Sequence, residues 1–324
     1  MDSYCFVQLA DCQFGMLGDL VGLQWLRNLR ALITYGSCGF VNGRDVLPIP
    51  YLGALNVGQS AEELYELELL FSERAVEKIN GLRPRPAFAV VCGDLVNAYP
   101  MKDPAKNSRQ VADFKRVYSK LDGSIKLVCV CGNHDVGEDP DKKSIDLYRS
   151  RFGADYFTFR VHDDEYIVLN SQYYKNDSRC KGLAKAQDDW LDSVLKRRDG
   201  FRHRVVFSHI PPFIEHQDEA SGYFPLSRDV RLDLLGRMSH GDVSHWFCGH
   251  YHRNSFGVYS PGDGGRAIEV VTTAAIGGNI TTDKSGDKLG LSGMESIVGD
   301  PRKSGFRVVR VSASGITHEF QTLE

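Results

Sequence analysis

Two histidines two residues apart follow the apolar run Val243-Ser244-His245-Trp246-Phe247-Cys248, in the segment Gly249-His250-Tyr251-His252. Side chains at i and i+2 of an extended segment point the same way, so two neutral imidazoles can converge here on a metal ion. Three upstream apolar runs also end in metal-ligand residue types. Tyr4-Cys5-Phe6-Val7-Gln8-Leu9-Ala10 leads into Asp11-Cys12-Gln13, Ala87-Phe88-Ala89-Val90-Val91-Cys92 into Gly93-Asp94, and Ile125-Lys126-Leu127-Val128-Cys129-Val130-Cys131 into Gly132-Asn133-His134-Asp135. A further run, Arg204-Val205-Val206-Phe207-Ser208, ends in His209. Singly, each residue has an ordinary explanation: Asp94 can cap a turn, Asn133 can take a left-handed turn position, and His209 can be a core imidazole bonded to backbone. Jointly, these candidate strands deliver ligands at their C-terminal ends, the edge where sites gather in α/β folds. The combination predicts a metal centre.

The elements that must position these residues alternate between strand and helix. Residues 61–80 carry Leu64, Leu67, Phe71, Ala75 and Ile79 at helical spacing, and Ser60 with Glu63 forms a capping-box pattern. Further helices are expected at about 108–121, 142–151, 184–198 and 228–238, each between strand-like runs. This alternation predicts a layered α/β sheet. After His252 the texture changes to short β-rich runs at 255–259, 267–273, 306–311 and 315–321, which a mixed sheet accommodates. Residues 34–59 and 277–305, rich in glycine with proline or serine, read as long loops at a functional rim. His162, His203, His216, His240, His245 and His318 lack strand-end context and are expected on surfaces or in structural roles.

Composition bounds the function classes. The 324 residues, 42% hydrophobic and 25% charged, can bury a large core, and a single domain over 1–324 is expected. The formal charge is −3 and lysine and arginine are scattered, so the basic stripe of a nucleic-acid binder is missing. No run approaches the ~18 apolar residues of a membrane span, and the first strand starts near residue 4, where a signal peptide would lie. Of the eight cysteines, Cys5, Cys92, Cys129, Cys131 and Cys248 sit in apolar strand-like runs, where thiols behave as small core hydrophobes. A cytoplasmic protein without a disulfide framework or membrane partner is the expectation.

Together, Asp11-Cys12-Gln13, Gly93-Asp94-Leu95-Val96-Asn97, Gly132-Asn133-His134-Asp135, His209 and Gly249-His250-Tyr251-His252 resemble the five motif blocks of the calcineurin-like metallophosphoesterase superfamily. The resemblance covers most of the chain. Leu169-Asn170-Ser171-Gln172, Ala186-Gln187-Asp188-Asp189-Trp190-Leu191 and Arg253-Asn254 bring it nearest to the calcineurin-like phosphoesterase domain-containing group, described as serine/threonine phosphatases. It implies an α/β metallophosphoesterase sandwich, with mixed β-sheets flanked by helices, and two divalent metals. Asp94 would bridge them, with Asp11, Gln13 and His252 on the first and Asn133, His209 and His250 on the second. Such a pair, ~3.5–4 Å apart, lowers the pKa of a bridging water toward ~7 and clamps the oxygens of an in-line displacement. His134 is the expected proton donor to the leaving group, with Asp135 to orient it. Arg253, with Asn133, is the candidate for gripping substrate phosphate.

Two departures from the family pattern bear on chemistry. Gln13 stands where most relatives carry histidine, and a neutral amide oxygen hardens the first site toward Mn²⁺ or Mg²⁺ and away from Zn²⁺, with Fe also open for the pair. Asn97 stands where the resemblance implies an aspartate that steadies the catalytic histidine, and an amide cannot stabilise an imidazolium as a carboxylate does. The function expected is a phosphomonoester hydrolase acting on phosphoserine or phosphothreonine in proteins, or on a small phosphoester. Hydrolysis of a nucleotide diphosphate, as in manganese-dependent ADP-ribose/CDP-alcohol diphosphatases, is the alternative because Gln occurs there too. A non-enzymatic scaffold is disfavoured by the completeness of the ligand set.

Overall fold

The structure is a computed structural model, and it describes residues 3–20, 59–198, 200–262, 264–280 and 297–324. The expected loop at 34–59 lies outside the described residues except for Gln59, and most of 277–305 does too. The elements in chain order are β1 (Tyr4–Leu9), α1 (Ala61–Gly81), β2 (Phe88–Cys92), α2 (Pro104–Tyr118), β3 (Lys126–Val130), α3 (Asn133–Val136), α4 (Lys142–Phe152), β4 (Phe157–Val161), β5 (Asp164–Val168), α5 (Gln172–Lys175), α6 (Lys181–Leu195), β6 (Arg204–Phe207), α7 (Arg228–His240), β7 (Val243–Cys248), β8 (Ser255–Tyr259), β9 (Ile268–Thr272), β10 (Asn279–Ile280), β11 (Ile297–Val298), β12 (Gly305–Ser312) and β13 (Gly315–Thr322).

Two sheets, ordered β13-β12-β1-β2-β3 and β4-β5-β6-β7-β9-β8, stack face to face, with a short β10-β11 ladder beside them. Alternation along each strand builds this sandwich. In β1, Tyr4 and Phe6 point into the inter-sheet core, whereas Cys5, Val7 and Leu9 pack under α1 and α2. In β7, Phe247 faces the inter-sheet core while Trp246 and Cys248 pack under α6 and α7. Strands buried on both faces read as continuous apolar runs, which is why the sequence shows them so clearly. Rings dominate the middle: Phe6 stacks on Phe88 at 4.6 Å, with Tyr166 and Phe207 edge-on to Phe6.

Parallel pairing brings the ligand-bearing ends together. β1-β2-β3 are parallel in the first sheet and β5-β6-β7-β9 in the second, so their C-terminal ends share one edge of the sandwich. The mixed character expected after His252 appears in antiparallel β8-β9, β1-β12 and β12-β13.

Helix α1 starts at its capping box, Glu63 N–H donating to Ser60 Oγ at 3.2 Å. Helix α2 starts earlier than residue 108, because Asp103 caps the Lys106 N–H at 3.1 Å and Pro104 takes the first turn. The hairpin β4-β5 was not expected from sequence. Asp164 and Glu165 interrupt its apolar pattern, and they are accommodated by Arg202 at 2.5 Å and Arg204 at 2.7 Å. The seven described cysteines are free, all buried except the half-buried Cys129. No helix among the described residues is long and apolar enough to cross a membrane.

Candidate metal centre

Strand ends turn sharply at this edge. Asp11, Gln13, Asp94, His250 and His252 all take left-handed backbone conformations, with φ of 53°, 41°, 50°, 70° and 54°. Such conformations cost non-glycine residues on the order of 1–3 kcal/mol each and persist only where the surroundings enforce them. Main-chain bonds supply that enforcement: Asp11 N–H donates to Gly93 O at 3.1 Å and Gln13 N–H to Asp94 O at 3.0 Å. Across the sandwich, His250 N–H donates to Asp11 Oδ2 at 3.0 Å. Glycines keep the turns close. A Cβ on Gly93, itself at φ 86°, would lie 2.4 Å from His209 Nδ1, and one on Gly132 would lie 2.1 Å from Asp94 Oδ1.

Four ligand atoms meet around one point. His209 Nε2 lies 3.0 Å from Asn133 Oδ1, 3.3 Å from Asp94 Oδ2 and 3.0 Å from His250 Nδ1. The other nitrogen, Nδ1, donates to Cys92 O at 2.8 Å, which fixes the tautomer and leaves Nε2 as the lone-pair donor. Beside this group, His252 Nε2 lies 3.5 Å from Asp11 Oδ1, and its Nδ1 bonds Gly278 O at 2.6 Å. Gln13 completes the edge. Its Nε2 donates to Asn97 Oδ1 at 3.2 Å, and its buried Oε1 has no partner among the described residues. His250 Nε2 is likewise buried without one.

Fit to divalent cations follows from these facts. Asp11, Asp94, His209 and His250 are all almost fully buried. Burial pushes the Asp11 carboxyl up, while at Asp94 the same effect is outweighed by His209, His134 and His250, which hold that carboxyl well below the usual range. Burial opposes charge on His209, yet Asp94 and Asp11 outweigh it and keep its pKa up at about 9. His250 is pushed down by burial and then by His209. Two buried carboxylates thus draw a proton into a cluster of ring nitrogens, where a dication would satisfy both carboxylates and the imidazole lone pairs together.

The sequence profile described as Calcineurin-like phosphoesterase matches residues 56–254. The chain belongs to the calcineurin-like phosphoesterase family. It is 38% identical over 297 residues to the human serine/threonine-protein phosphatase CPPED1, covering 89% of this chain and 85% of that one. The zebrafish protein of the same name is 34% identical over 296 residues, covering 89% and 86%. Among solved structures, a dimetal phosphatase from Danio rerio shares the fold at TM-score 0.56 and 14% identity, over 99% of this chain and 96% of that one. GAP50 of the Plasmodium inner membrane complex is similar at TM-score 0.54 and 16% identity, over 100% and 86%. Calcineurin-like phosphoesterases bind two divalent metals, and among the described residues Asp94, His209 and His250 bring ligand atoms within 4.8 Å of one another.

A cavity of about 420 Å³ opens onto the centre and is lined by Gln13, Asp94, His134, His250 and His252. His134 N–H donates to Asp94 Oδ1 at 2.9 Å, and its Nδ1 bonds the main-chain carbonyl of Asn97 at 2.6 Å. A carbonyl, in place of a carboxylate, therefore orients this ring, and Tyr99 packs on it at 4.5 Å.

One expected role is corrected by these positions. Asp135 does not orient His134: its carboxylate accepts from Gly132 N–H at 2.7 Å and Leu95 N–H at 3.1 Å, holding together the turns that carry Asp94 and Asn133. Burial and then the Asp94 charge push its pKa up to about 8. Arg253 stands beside the cavity, next to His252, which lines both the cavity and a neighbouring depression. Arg253 lines that depression with Arg302 and Lys303, and its Nε donates to Ile280 O at 3.1 Å. Among the described residues, Lys102 and Lys106 are the lysines that line the cavity itself.

Several contributors escaped the sequence reading. Glu138 Oε1 takes the Asn133 Nδ2 donor at 2.7 Å, which turns Oδ1 of that amide toward His209. A signal existed, since Glu138 follows Asn133 by one helical turn plus a glycine at φ 97° that folds the chain back. Glu68 on α1 accepts from Leu17 N–H at 2.9 Å and from Gly15 N–H at 2.5 Å, bracing the loop after Gln13. Tyr223 and Phe224 pack on His250 at 5.0 and 5.6 Å. Lys175 holds their loop through the carbonyls of Gly222, Tyr223 and Pro225.

Proposed function

We propose that the protein is a dinuclear metal-dependent phosphomonoesterase, a protein serine/threonine phosphatase with Mn²⁺ as its working ion. The observation that carries this reading is the convergence of Asn133, Asp94 and His250 on Nε2 of His209 beside the Asp11-His252 pair. The substrate class rests on identity to relatives named serine/threonine-protein phosphatase. In this reading Asp94 would be shared between the two positions, Asp11, Gln13 and His252 would hold one ion, and Asn133, His209 and His250 would hold the other. When bound, a pair of divalent cations supplies a water of lowered pKa as nucleophile and neutralises charge on the transferred phosphoryl group.

The chain's own residues do the rest. His134 directs Nδ1–H to the Asn97 carbonyl, so Nε2 is the ring atom that holds a proton for the leaving seryl or threonyl oxygen. Lys102, over the Tyr99 ring at 4.4 Å, is a cavity-lining cation that can meet phosphate charge, alongside Arg253 in the adjoining depression. Tyr99, Tyr223 and Phe224 wall the cavity and restrict water. The neutral oxygen of Gln13 favours a harder ion in the first position, which supports Mn²⁺ over Zn²⁺. Buried free thiols support a reducing, cytoplasmic setting. The diphosphatase alternative gains no support beyond Gln13 itself.

Metal-stripped protein reloaded with Mn²⁺, Zn²⁺ or Mg²⁺ and presented with a phosphoserine peptide, bis-p-nitrophenyl phosphate and ADP-ribose tests the reading. The peptide is expected to be hydrolysed fastest, and best with Mn²⁺. Faster turnover of ADP-ribose would transfer the assignment to the diphosphatase class, and a Zn²⁺ optimum would remove manganese.

A further inference from the structure

Gln13 presents an ambiguity that a histidine would not. Its amide has an oxygen that can ligate a cation and an NH₂ that cannot, and the two ends are nearly the same shape. A flipped amide would aim two N–H donors at the first metal position. Something must therefore choose the orientation, and the surroundings of Gln13 show what does.

The choice starts about two side chains away. Lys106 on α2 is paired with Asp19, whose carboxylate can only accept. Asp19 Oδ2 takes the Asn97 Nδ2 donor at 2.6 Å. That fixes the Asn97 amide with Oδ1 on its other side, where it accepts Gln13 Nε2 at 3.2 Å. Only then is Gln13 Oε1 left on the side away from Asn97, buried and without a partner among the described residues, in a side chain that borders the cavity. The Asn97 backbone is itself pinned: the Ala98 N–H donates to Gln110 Oε1 at 2.8 Å, and Asn107 Nδ2 donates to Ala98 O at 2.6 Å. The other amide ligand shows the same logic one step shorter, with Glu138 taking Nδ2 of Asn133.

Resting on the metal-centre reading above, we infer that Asn97 is a positioning residue for the first metal, holding Gln13 oxygen-inward through the relay Lys106-Asp19-Asn97. This gives the asparagine a purpose that its sequence position did not suggest. Its main-chain carbonyl orients His134, and its side chain orients Gln13.

The experiment is a calorimetric Mn²⁺ titration of metal-stripped full-length protein, which reads the two sites without reference to turnover. Asn97→Ala is expected to weaken one site by ~10–100-fold, the usual cost of losing a partner that orients a ligand, and to leave the other unchanged. Asn97→Asp keeps an acceptor for Gln13 Nε2 but gives up the donor to Asp19 and sets two carboxylates against each other, so it should restore only part of the loss. The decisive comparison is Asn97→Ala in a Gln13→Glu background. A carboxylate offers an oxygen in either orientation, so the penalty should nearly vanish there. An equal penalty in both backgrounds, or weakening of both sites together, overturns the relay. Should Asn97→Ala not fold, Asp19→Ala at its half-exposed position replaces it. It is expected to weaken the same single site, and wild-type affinity at both sites overturns the proposal. Wild type that binds fewer than two Mn²⁺ refutes the metal centre itself, a separate result visible before any variant is made.

Discussion

His134, the proton donor in the proposed reaction, has its ring held by a main-chain carbonyl at 2.6 Å. A general acid matters most when the leaving group is a poor one, so His134→Ala should slow hydrolysis of a phosphoserine peptide by ~10²–10⁴-fold. The loss should be much smaller on p-nitrophenyl phosphate, whose leaving group departs unprotonated. Steady-state rates on both substrates, with metal content measured in parallel, check this; equal losses would make His134 a charge stabiliser instead. Sequence alone predicts a weakened acid from Asn97, on the premise that its side chain faces the imidazole. In the structure that side chain faces Gln13 and Asp19. Side-chain direction at a turn depends on local backbone dihedrals, which residue types at fixed spacing do not report. For the same reason Asp135, adjacent in sequence to His134, serves another task.

Turns at the ends of β1, β2, β3, β6 and β7 set the ligand geometry, and their glycines are the sensitive points. Gly132→Ala would place a methyl 2.1 Å from Asp94 Oδ1 while leaving the backbone in an ordinary extended conformation. The same methyl would lie 2.4 Å from the Asp94 main-chain nitrogen, so the turn itself must move, and the variant should melt lower as well as lose bound metal and about 10²-fold or more in rate. Thermal melts and metal analysis of the purified variant check the two halves of that expectation. The elements themselves were largely legible, since strands buried on both faces leave apolar runs and α1 announces itself by period and cap. The β4-β5 hairpin was hidden because Asp164 and Glu165 are buried by pairing with Arg202 and Arg204, a compensation that lies 38 and 39 residues away in sequence. The start of α2 was hidden by Pro104, which reads as a breaker until Asp103 is recognised as its cap.

At the scale of the whole molecule, a charged clip joins the two sheets on which the metal ligands are divided. Glu269 on β9 is bonded by His245 on β7 at 3.3 Å and by His318 on β13 at 3.1 Å. Those bonds, against an opposing effect of burial, hold its carboxyl well below the usual range. A depressed carboxyl contributes stability above its unfolded pKa and loses it as pH falls through the folded one. Glu269→Gln should therefore cost on the order of 1 kcal/mol at pH 7, discounted for partial exposure. The gap to wild type should narrow below about pH 4, where the unfolded carboxyl protonates. Urea unfolding at both pH values checks the sign.

Because each sheet supplies ligands to the centre, catalysis and the sandwich are coupled through Asp94, Asp11 and the histidines opposite them. The most direct measurement is Mn²⁺ titration of metal-stripped protein, with phosphoserine-peptide hydrolysis followed against metal bound. Two cations acting together predict that the rate rises only as the second equivalent binds, and that Asp94→Asn, lacking a fully charged bridge, is inactive and retains neither ion tightly. Full activity with one equivalent, in the presence of chelator, or in Asp94→Asn would contradict a dinuclear centre.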